Sequence, residues 1–363
     1  MKHWNEAALS RRIEERVALD LAEGRISSAA ISISQSGKEI FCSHFGRQSP
    51  AGDAPLRTDA LFRLASMTKP ITAAAMLLLS DRGLLSIDDP VCRYLPAYES
   101  LPFSPTLRHL LSHTSGYGWA AESDAVTSAM TERERTEVRP HADFFARVPL
   151  SFAPGTRQEY SATVAFSILT AVAEQVTGRD FADLLQKEIF DPCGMTDTTF
   201  SPTEEQWTRM VGMHDIENGR AVLGKTTEGC VFYEEPTSLR LGGAGLASTL
   251  SDYRRFAEML RREGVTGDGR RILSACAVRE MQTPVCPYPL DGQGSLWGLG
   301  VRVACREGAR LPVGCFGWSG AYGTHFWVDP ENEITAIYLK NSHKDGGSDA
   351  KTGMHFEEDV YAD

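Results

Sequence analysis

A serine and a lysine three positions apart give the sequence its most suggestive chemistry. The stretch LASMTKPIT, residues 64–72, contains Ser66, Lys69 and Pro70. Because proline has no N–H, a helix tolerates it only in its first turn, so the helix predicted for the following apolar run must begin near Ser66. A helix start directs unpaired N–H groups toward developing negative charge. Lys69 lies about one turn further on, where an unprotonated amine could accept the serine proton.

This spacing alone does not identify a nucleophile. The pattern S-x-x-K occurs a second time, at Ser348 and Lys351. A plain alternative also exists, in which Ser66 caps a helix and Lys69 is solvated. The motif therefore needs support from its structural context.

Composition and charge narrow the function classes. The chain has 363 residues, of which 42% are hydrophobic and 23% charged, as in an ordinary soluble globular protein. Its 37 basic and 48 acidic side chains give a formal net charge of −11. Since no run of Lys and Arg could neutralise a phosphate backbone, we expect no nucleic-acid partner. No stretch resembles a membrane span, so we expect no membrane partner either.

The cysteines and the N-terminus indicate a compartment. Eight cysteines lie at irregular intervals without a C-x-x-C pair, which favours neither a zinc site nor a disulfide framework. The first 24 residues show an amphipathic, charged helix pattern rather than the apolar core of a secretory signal. We therefore expect a protein of the reducing cytoplasm.

The order of predicted elements indicates an α+β fold. After the N-terminal helix, apolar and polar residues alternate on both sides of Ser36-Gly37, which predicts a β-hairpin. The middle of the chain is mostly helical, with a break at Gly178. From Leu296 onward, strand patterns return in LWGLGVRVA, GTHFWVDP and EITAIYLKN. Strands at both ends predict an antiparallel sheet flanked by helices, with an inserted helical region.

Five stretches together resemble the serine β-lactamase and penicillin-binding-protein superfamily: LFRLASMTKPITAAAMLLLSDRGLLSIDDPVCRYLP, LRHLLSHTSGYG, FAPGTRQEYSATVAFSILTAVAEQVTG, LGGAGLASTLSDYRRFAEML and FGWSGAYGTHFWVDPENEITAIYLKN. They are most similar to the class C β-lactamase-like serine hydrolases, especially the family VIII carboxylesterases. The resemblance implies a β-lactamase/transpeptidase-like fold. We assign residues 1–90 and 235–363 to the sheet domain and residues 91–234 to the mainly helical domain, with the active site between them.

The resemblance assigns roles to two motifs. Ser66 and Lys69 match the S-x-x-K of the superfamily, which makes Ser66 the nucleophile. The second motif is usually Y-x-N, and here EYSAT supplies Tyr160 with Ala162 in place of asparagine. Tyr160 is then the candidate general base and leaving-group acid. The missing asparagine argues against recognition of a β-lactam or peptide amide.

The third motif is commonly K-T-G on an edge strand. The letters KTG occur at residues 351–353, but only ten residues follow, too few for the strands and helix that the family needs. We therefore align Trp318-Ser319-Gly320 with this motif and regard the KTG as part of a polar tail. By resemblance, the N–H groups of Ser66 and Ala321 form the oxyanion hole.

The altered third motif predicts the substrate class. Replacing the motif lysine by Trp318 removes a cation that would bind a carboxylate and offers an aromatic wall. We therefore expect a serine hydrolase that cleaves neutral acyl esters through an acyl-enzyme, without a metal or cofactor. A β-lactamase or D-amino-acid peptidase is the alternative within the superfamily. A non-catalytic binding protein on the same scaffold is the alternative outside enzymes.

Weaker signals surround these motifs. Tyr117 and Trp119, in the loop TSGYGWA, are further substrate-binding candidates. His109 and His113 are four apart, but the glutamate of H-E-x-x-H is absent, so a zinc site is disfavoured. The glycines of LGGAGL indicate tight backbone packing beside the site rather than a phosphate loop. His325 could face either side of its strand.

Overall fold

A seven-stranded antiparallel sheet forms the centre of the protein. The computed structural model describes residues 4–218, 220–225, 238–288, 294–306 and 309–362. The strands of the sheet are β1 (Ser28–Gln35), β2 (Lys38–Gly46), β3 (Ser295–Trp297), β4 (Arg302–Ala304), β5 (Phe316–Ser319), β6 (His325–Asp329) and β7 (Ile334–Leu339). Their order across the sheet is β2-β1-β7-β6-β5-β4-β3, so the two ends of the chain meet where β1 pairs with β7.

The five longest helices among the described residues are α1 (Glu6–Ala22), α2 (Thr68–Asp81), α3 (Val164–Thr177), α4 (Leu250–Arg261) and α5 (Lys351–Tyr361). The shorter helical elements are Ala65–Met67, Val91–Arg93, Pro96–Ser100, Leu107–Leu111, Trp119–Glu122, Asp124–Thr127, Glu132–Thr136, Val138–Phe145, Phe181–Leu185, Gln186–Phe190, Asp191–Cys193, Glu204–Arg209 and Ala275–Met281. The short strand pairs are Phe62–Arg63 with Ala247–Ser248, and His214–Glu217 with Arg220–Leu223.

The sheet separates two hydrophobic cores. Helices α1 and α5 pack on one face, where Ile13 and Phe356 meet Ile31 and Trp327 in one cluster of buried residues. The other face supports α2, α3 and α4 in a much larger cluster that also contains Trp318 of β5. Because side chains alternate along a strand, residues next to Trp318 in sequence point to the opposite core.

Much of the predicted organisation is confirmed. The chain has the α+β fold, the hairpin turns at Ser36-Gly37 between β1 and β2, and Gly178 ends α3 in the left-handed conformation with φ of 64°. The assignment of LWGLGVRVA to strand is wrong at its centre. It forms two short strands, β3 and β4, which pair with each other around a turn at Gly298–Val301, where Gly300 has φ of 74°. The domain boundaries at residues 90 and 235 stay a prediction.

Two further expectations about the end of the chain are wrong. The KTG at residues 351–353 is not part of a polar tail, because it begins α5 and both Thr352 and Gly353 are buried. Phe356 and Val360, one and two turns later, pack into the core beneath the sheet and hold this helix in place. Strand β5 is not an edge strand, because β4 pairs with it on one side and β6 on the other.

Candidate active site

Ser66 lies at a sharp entrance to α2. The chain leaves the short strand Phe62–Arg63, makes a single 3₁₀ turn over Ala65–Met67 and continues directly into α2, whose third residue is Pro70. This is the helix start that the proline predicts. Ala65 has φ of 47°, a left-handed conformation that costs energy for a residue other than glycine. Such local strain next to a half-buried serine is typical of functional sites.

The amine of Lys69 lies beside Ser66 and is completely buried. Its Nζ is 3.2 Å from Ser66 Oγ, 2.6 Å from the carbonyl oxygen of Ala162 and 2.8 Å from that of Gly243. Among the described residues, no carboxylate oxygen accepts a hydrogen bond from this amine. A buried lysine normally has a counter-ion, so this arrangement is unusual.

The three contacts of Lys69 suit both protonation states of the amine. An ammonium can donate one N–H to each of the two carbonyls and the third to Ser66 Oγ. A neutral amine still donates to both carbonyls, and its lone pair then faces the serine hydroxyl. The geometry therefore lets a proton move between Ser66 and Lys69 without breaking the contacts that hold the amine.

Two glycines let the chain approach Lys69 closely. A Cβ on Gly243 would lie 2.9 Å from the Ala162 oxygen and 3.4 Å from Lys69 Nζ, and a Cβ on Gly242 would lie 2.3 Å from Thr170 Oγ1. This is the tight packing expected from LGGAGL. Its effect is to bring the Gly243 carbonyl within hydrogen-bonding distance of Lys69.

Tyr160 lies on the other side of Lys69. Its ring centroid is 4.9 Å from Lys69 Nζ. The ring is half-buried and contacts the rings of His113 and Trp318, with centroids 4.5 and 5.4 Å away. The structure therefore brings Tyr160, which is distant in sequence, next to the neighbouring pair Ser66 and Lys69.

Trp318 contacts Tyr160 in a way that the sequence analysis missed. Its indole Nε1 donates a hydrogen bond of 3.2 Å to the phenol oxygen of Tyr160. An N–H aimed at this oxygen stabilises negative charge on it, as a cation would do more strongly. The tryptophan is therefore more than an apolar wall, since it also supplies a neutral hydrogen-bond donor to the tyrosine.

The end of β5 packs against the segment that carries Ser66. A Cβ on Gly320 would lie 2.2 Å from the carbonyl oxygen of Leu64, so this close approach requires glycine. The contact brings the turn containing Ala321 toward Ser66. Among the residues that the structure describes, neither the N–H of Ser66 nor that of Ala321 donates a hydrogen bond to the protein. Both remain available to an oxygen of a bound substrate.

The side chain of Ser319 points away from Tyr160, so its prediction as a substrate contact does not agree with the structure. Its Oγ is 2.8 Å from Nδ1 of His325, and Nε2 of His325 is 3.1 Å from the Glu357 carboxylate on α5. Burial lowers the pKa of His325. Burial by itself raises the pKa of Glu357, but His325 and Arg302 hold it far below its ordinary value. His325 therefore faces away from the site.

The two candidates in the TSGYGWA loop have different environments. Tyr117 is fully buried and donates its hydroxyl to the Phe145 carbonyl at 3.0 Å, so it is a core residue and its prediction as a substrate contact is wrong. Trp119 is 60% exposed, and its ring centroid is 6.1 Å from that of Tyr160. Of the two, only Trp119 can meet a ligand that approaches Tyr160.

The two histidines considered as a metal pair each accept a hydrogen bond from a different backbone N–H. His109 Nδ1 accepts from the N–H of Thr106 in a capping box. His113 Nδ1 accepts from the N–H of Ser161, directly after Tyr160. Among the described residues, no group of three or more His, Cys, Asp or Glu side chains is arranged to hold a metal ion.

Glu122 also contributes to this site, although the sequence analysis did not identify it. It accepts hydrogen bonds from the segment after Tyr160, about forty residues away in sequence. No local spacing relates Glu122 or His113 to Tyr160. Only the folded chain reveals the relationship.

Comparisons with known proteins identify the family of this chain. The profile of the Beta-lactamase family matches residues 9–355. The esterase EstB of Burkholderia gladioli is 30% identical over 98% of this chain and 96% of its own. The D-alanyl-D-alanine-carboxypeptidase/endopeptidase AmpH of Escherichia coli K12 is 25% identical over 85% of this chain and 78% of its own.

Solved structures show the same fold. EstCE1, described as a hydrolase with promiscuous acyltransferase activity, superposes with a TM-score of 0.82 at 23% identity and covers 98% of this chain and 99% of its own. In the described part of the chain, every helix is too short or too polar to cross a membrane. With a family profile that spans nearly its whole length, the chain belongs to the Beta-lactamase family of serine hydrolases.

Proposed function

We propose that this protein is a carboxylesterase that cleaves neutral short-chain acyl esters through an acyl-enzyme on Ser66. The observation that carries the proposal is the contact between Trp318 and Tyr160. A neutral indole occupies the position at which the superfamily usually has a lysine, so this position offers no cation to a substrate carboxylate. The similarity to the esterase EstB supports the same substrate class.

Acylation begins when Ser66 Oγ attacks the ester carbonyl carbon. The serine proton passes to the amine of Lys69, which the contact of 3.2 Å prepares for this transfer. The N–H groups of Ser66 and Ala321 stabilise the oxyanion of the tetrahedral intermediate. The C–O bond to the alcohol then breaks, and Tyr160 donates a proton to the leaving oxygen.

Deacylation reverses these roles. Water enters where the alcohol departed, and the Tyr160 phenolate accepts its proton as the hydroxide attacks the acyl carbon. The hydrogen bond from Trp318 stabilises the phenolate in this step. Ser66 leaves with the proton held by Lys69, and the carboxylic acid is released. At the end of the proposed cycle Ser66, Lys69 and Tyr160 have regained their starting protonation states, and no step requires a metal ion or an organic cofactor.

Two residues near Tyr160 bear on the substrate that we propose for the site. Trp119 offers an exposed aromatic surface beside Tyr160, where it can pack against an acyl or alcohol group. Ala162 stands where asparagine would contact a substrate amide, and its own carbonyl is engaged by Lys69. The missing asparagine favours an ester over a β-lactam or peptide.

A paired assay tests this assignment. Turnover of a fluorogenic short-chain ester and of a chromogenic cephalosporin is measured with wild type and with Ser66→Ala. We expect ester hydrolysis that disappears in Ser66→Ala, together with slow or no cephalosporin turnover. Rapid cephalosporin turnover with inert esters would instead identify the β-lactamase or peptidase alternative. No turnover of either substrate and no reaction with a fluorophosphonate would identify a non-catalytic binding protein.

A further inference from the structure

The segment around Tyr160 is held from two sides by residues that do not touch Ser66. On one side lies Glu122, in the 3₁₀ turn Trp119–Glu122. On the other side lies His113, in the loop after Leu107–Leu111. Each contacts the chain immediately next to Tyr160, and each contact joins positions that are distant in sequence.

Glu122 accepts four hydrogen bonds from consecutive residues. Its Oε1 accepts from Ser161 Oγ at 2.8 Å and from the N–H groups of Thr163 and Val164 at 2.9 and 3.1 Å. Its Oε2 accepts from the N–H of Ala162 at 3.0 Å. A carboxylate at the start of α3 satisfies donors that a helix leaves unpaired and is favoured there by the helix dipole. The four bonds fix the backbone on which the Ala162 carbonyl is mounted.

His113 holds the residues on both sides of Tyr160. Its backbone oxygen accepts from the N–H of Glu159 at 3.0 Å, and its Nδ1 accepts from the N–H of Ser161 at 3.1 Å. Its imidazole packs against the Tyr160 ring. His113 is fully buried and has φ of 58°, so the fold maintains an unfavourable backbone conformation here.

The protonation state of His113 agrees with this role. Burial, reinforced by the nearby Lys69, lowers the pKa of His113 well below its ordinary value. The ring is therefore neutral, with Nδ1 as the acceptor for Ser161 and the hydrogen on Nε2. A neutral ring places no positive charge beside Lys69. It also takes no part in the proposed proton transfers.

We propose that Glu122 and His113 are positioning residues, which hold Tyr160 and the Ala162 carbonyl in register with Lys69. The inference rests on the proposed function, because it assigns these residues to the proton transfers of Lys69 and Tyr160. Glu122 acts on Lys69 through Ala162, whose N–H it binds and whose oxygen receives the amine. His113 acts on Tyr160 through both flanking residues and through the ring contact.

Conservative variants separate this role from a general contribution to folding. In Glu122→Gln, one carboxylate oxygen becomes an NH₂ group, which must face backbone N–H groups that need an acceptor. In His113→Asn, the side-chain oxygen can replace Nδ1, and asparagine tolerates the left-handed backbone. In His113→Ala, the acceptor and the ring are both lost. Glu134→Gln is the matched control, because Glu134 also accepts from a backbone N–H and a hydroxyl at a helix start, both on Thr131.

The experiment measures kcat and KM for a short-chain ester, the rate at which a fluorophosphonate labels Ser66, and the melting temperature. For Glu122→Gln and His113→Ala we expect kcat and the labelling rate to fall by about 100-fold with little change in KM, because a small displacement of proton-transfer groups is costly. We expect His113→Asn to recover most of the loss in His113→Ala. Glu134→Gln should lower the melting temperature and leave kcat unchanged.

The proposal is overturned if folded Glu122→Gln has the wild-type kcat, or if His113→Asn is no better than His113→Ala. It is also overturned if the losses follow the melting temperature across all variants, including Glu134→Gln. A wild-type protein that is labelled at Ser66 but inactive on esters would refute the substrate assignment alone, because the labelling rates still test the positioning. A wild-type protein that is not labelled would refute both proposals.

Discussion

Lys69 and Lys340 are both completely buried, yet their surroundings differ. Lys340 follows directly after β7, and its Nζ donates to the Asp345 carboxylate at 2.6 Å. Lys69, at the start of α2, contacts neutral oxygens only within the described residues. The same side chain at the same burial therefore has a counter-ion in one place and none in the other.

The difference supports the choice of Lys69 as the proposed general base. Burial lowers the pKa of Lys340, and Asp345 opposes this effect. Loss of the proton from a lysine in a buried salt bridge would leave the carboxylate without its counter-ion. A lysine held by carbonyl and hydroxyl oxygens can lose its proton without leaving an unpaired charge. Asp345 also accepts from Lys351 N and Thr352 Oγ1 at the start of α5, so the Lys340 pair fastens that helix to the sheet.

Removing the amine of Lys69 should have the largest effect. In Lys69→Met, the apolar side chain fills similar space but cannot accept the serine proton. We expect kcat for a short-chain ester to fall by about 1,000-fold, within the range for loss of a general base. Steady-state kinetics and circular dichroism on the same sample check the result. Retention of more than a tenth of the wild-type kcat in a folded Lys69→Met would refute the comparison from the catalytic side.

The matching change at Lys340 should act on stability instead. Lys340→Met leaves Asp345 without its counter-ion, which costs about 3 kcal/mol in a buried pair. We expect the free energy of unfolding in urea to fall by that amount, while kcat per folded molecule stays close to wild type. The double variant Lys340→Met with Asp345→Asn is the control and should recover part of the loss, because no charge is left unpaired. An unchanged free energy of unfolding in Lys340→Met would show that the pair is not structural.

The pH dependence of stability should reveal the same pair more weakly. Burial by itself raises the pKa of Asp345, but Lys340 and Thr352 overcome this effect and lower the pKa to about 2. An unfolded aspartate has a pKa of about 3.9, so the contribution of the carboxylate is complete above that pH and is lost as pH falls toward 2. Urea unfolding of wild type and Asp345→Asn between pH 6 and pH 2 checks this. The difference between them should shrink below about pH 4, and a constant difference would contradict the assignment.

A change at Trp318 should have the smallest effect. Trp318→Phe keeps an aromatic ring but loses the N–H that binds Tyr160, together with part of the ring volume, and Trp297→Phe loses the same volume. The loss of one such hydrogen bond corresponds to about a tenfold fall in kcat. Trp297→Phe is the matched control, because the indole of Trp297 donates to the Leu111 carbonyl rather than to Tyr160. If both variants lower kcat equally, then the contact of Trp318 with Tyr160 has no special role.

Local patterns in the sequence predicted much of the fold, whereas the resemblance to a known superfamily singled out Tyr160, which the structure places beside Lys69. Pro70 fixed the start of α2 because its missing N–H allows few positions, and alternation around Ser36-Gly37 gave the hairpin. The same reasoning failed for LWGLGVRVA, where Gly300 turns the chain inside an alternating pattern. It also failed for the KTG at residues 351–353, whose helix depends on packing against the sheet.

The residues that surround Tyr160 could not be predicted from the sequence, for a different reason. Glu122 and His113 act through hydrogen bonds to a segment about forty or more residues away. Tyr117 lies in a stretch whose glycines and serine are typical of an exposed loop, but the fold buries its side chain. Ser319 belongs to the third motif, but strand alternation turns its side chain to the opposite face from Trp318. Each outcome depends on tertiary contacts that no local spacing specifies.

The nucleophilicity of Ser66 is the central claim, and covalent labelling tests it most directly. Wild-type protein and Ser66→Ala are treated with a fluorophosphonate, and the intact mass and the modified peptide are determined by mass spectrometry. We predict that wild type gains one phosphonyl group on the peptide containing Ser66 and loses ester hydrolysis in proportion, while Ser66→Ala gains none. Labelling of another residue, or equal labelling of Ser66→Ala, would contradict the account.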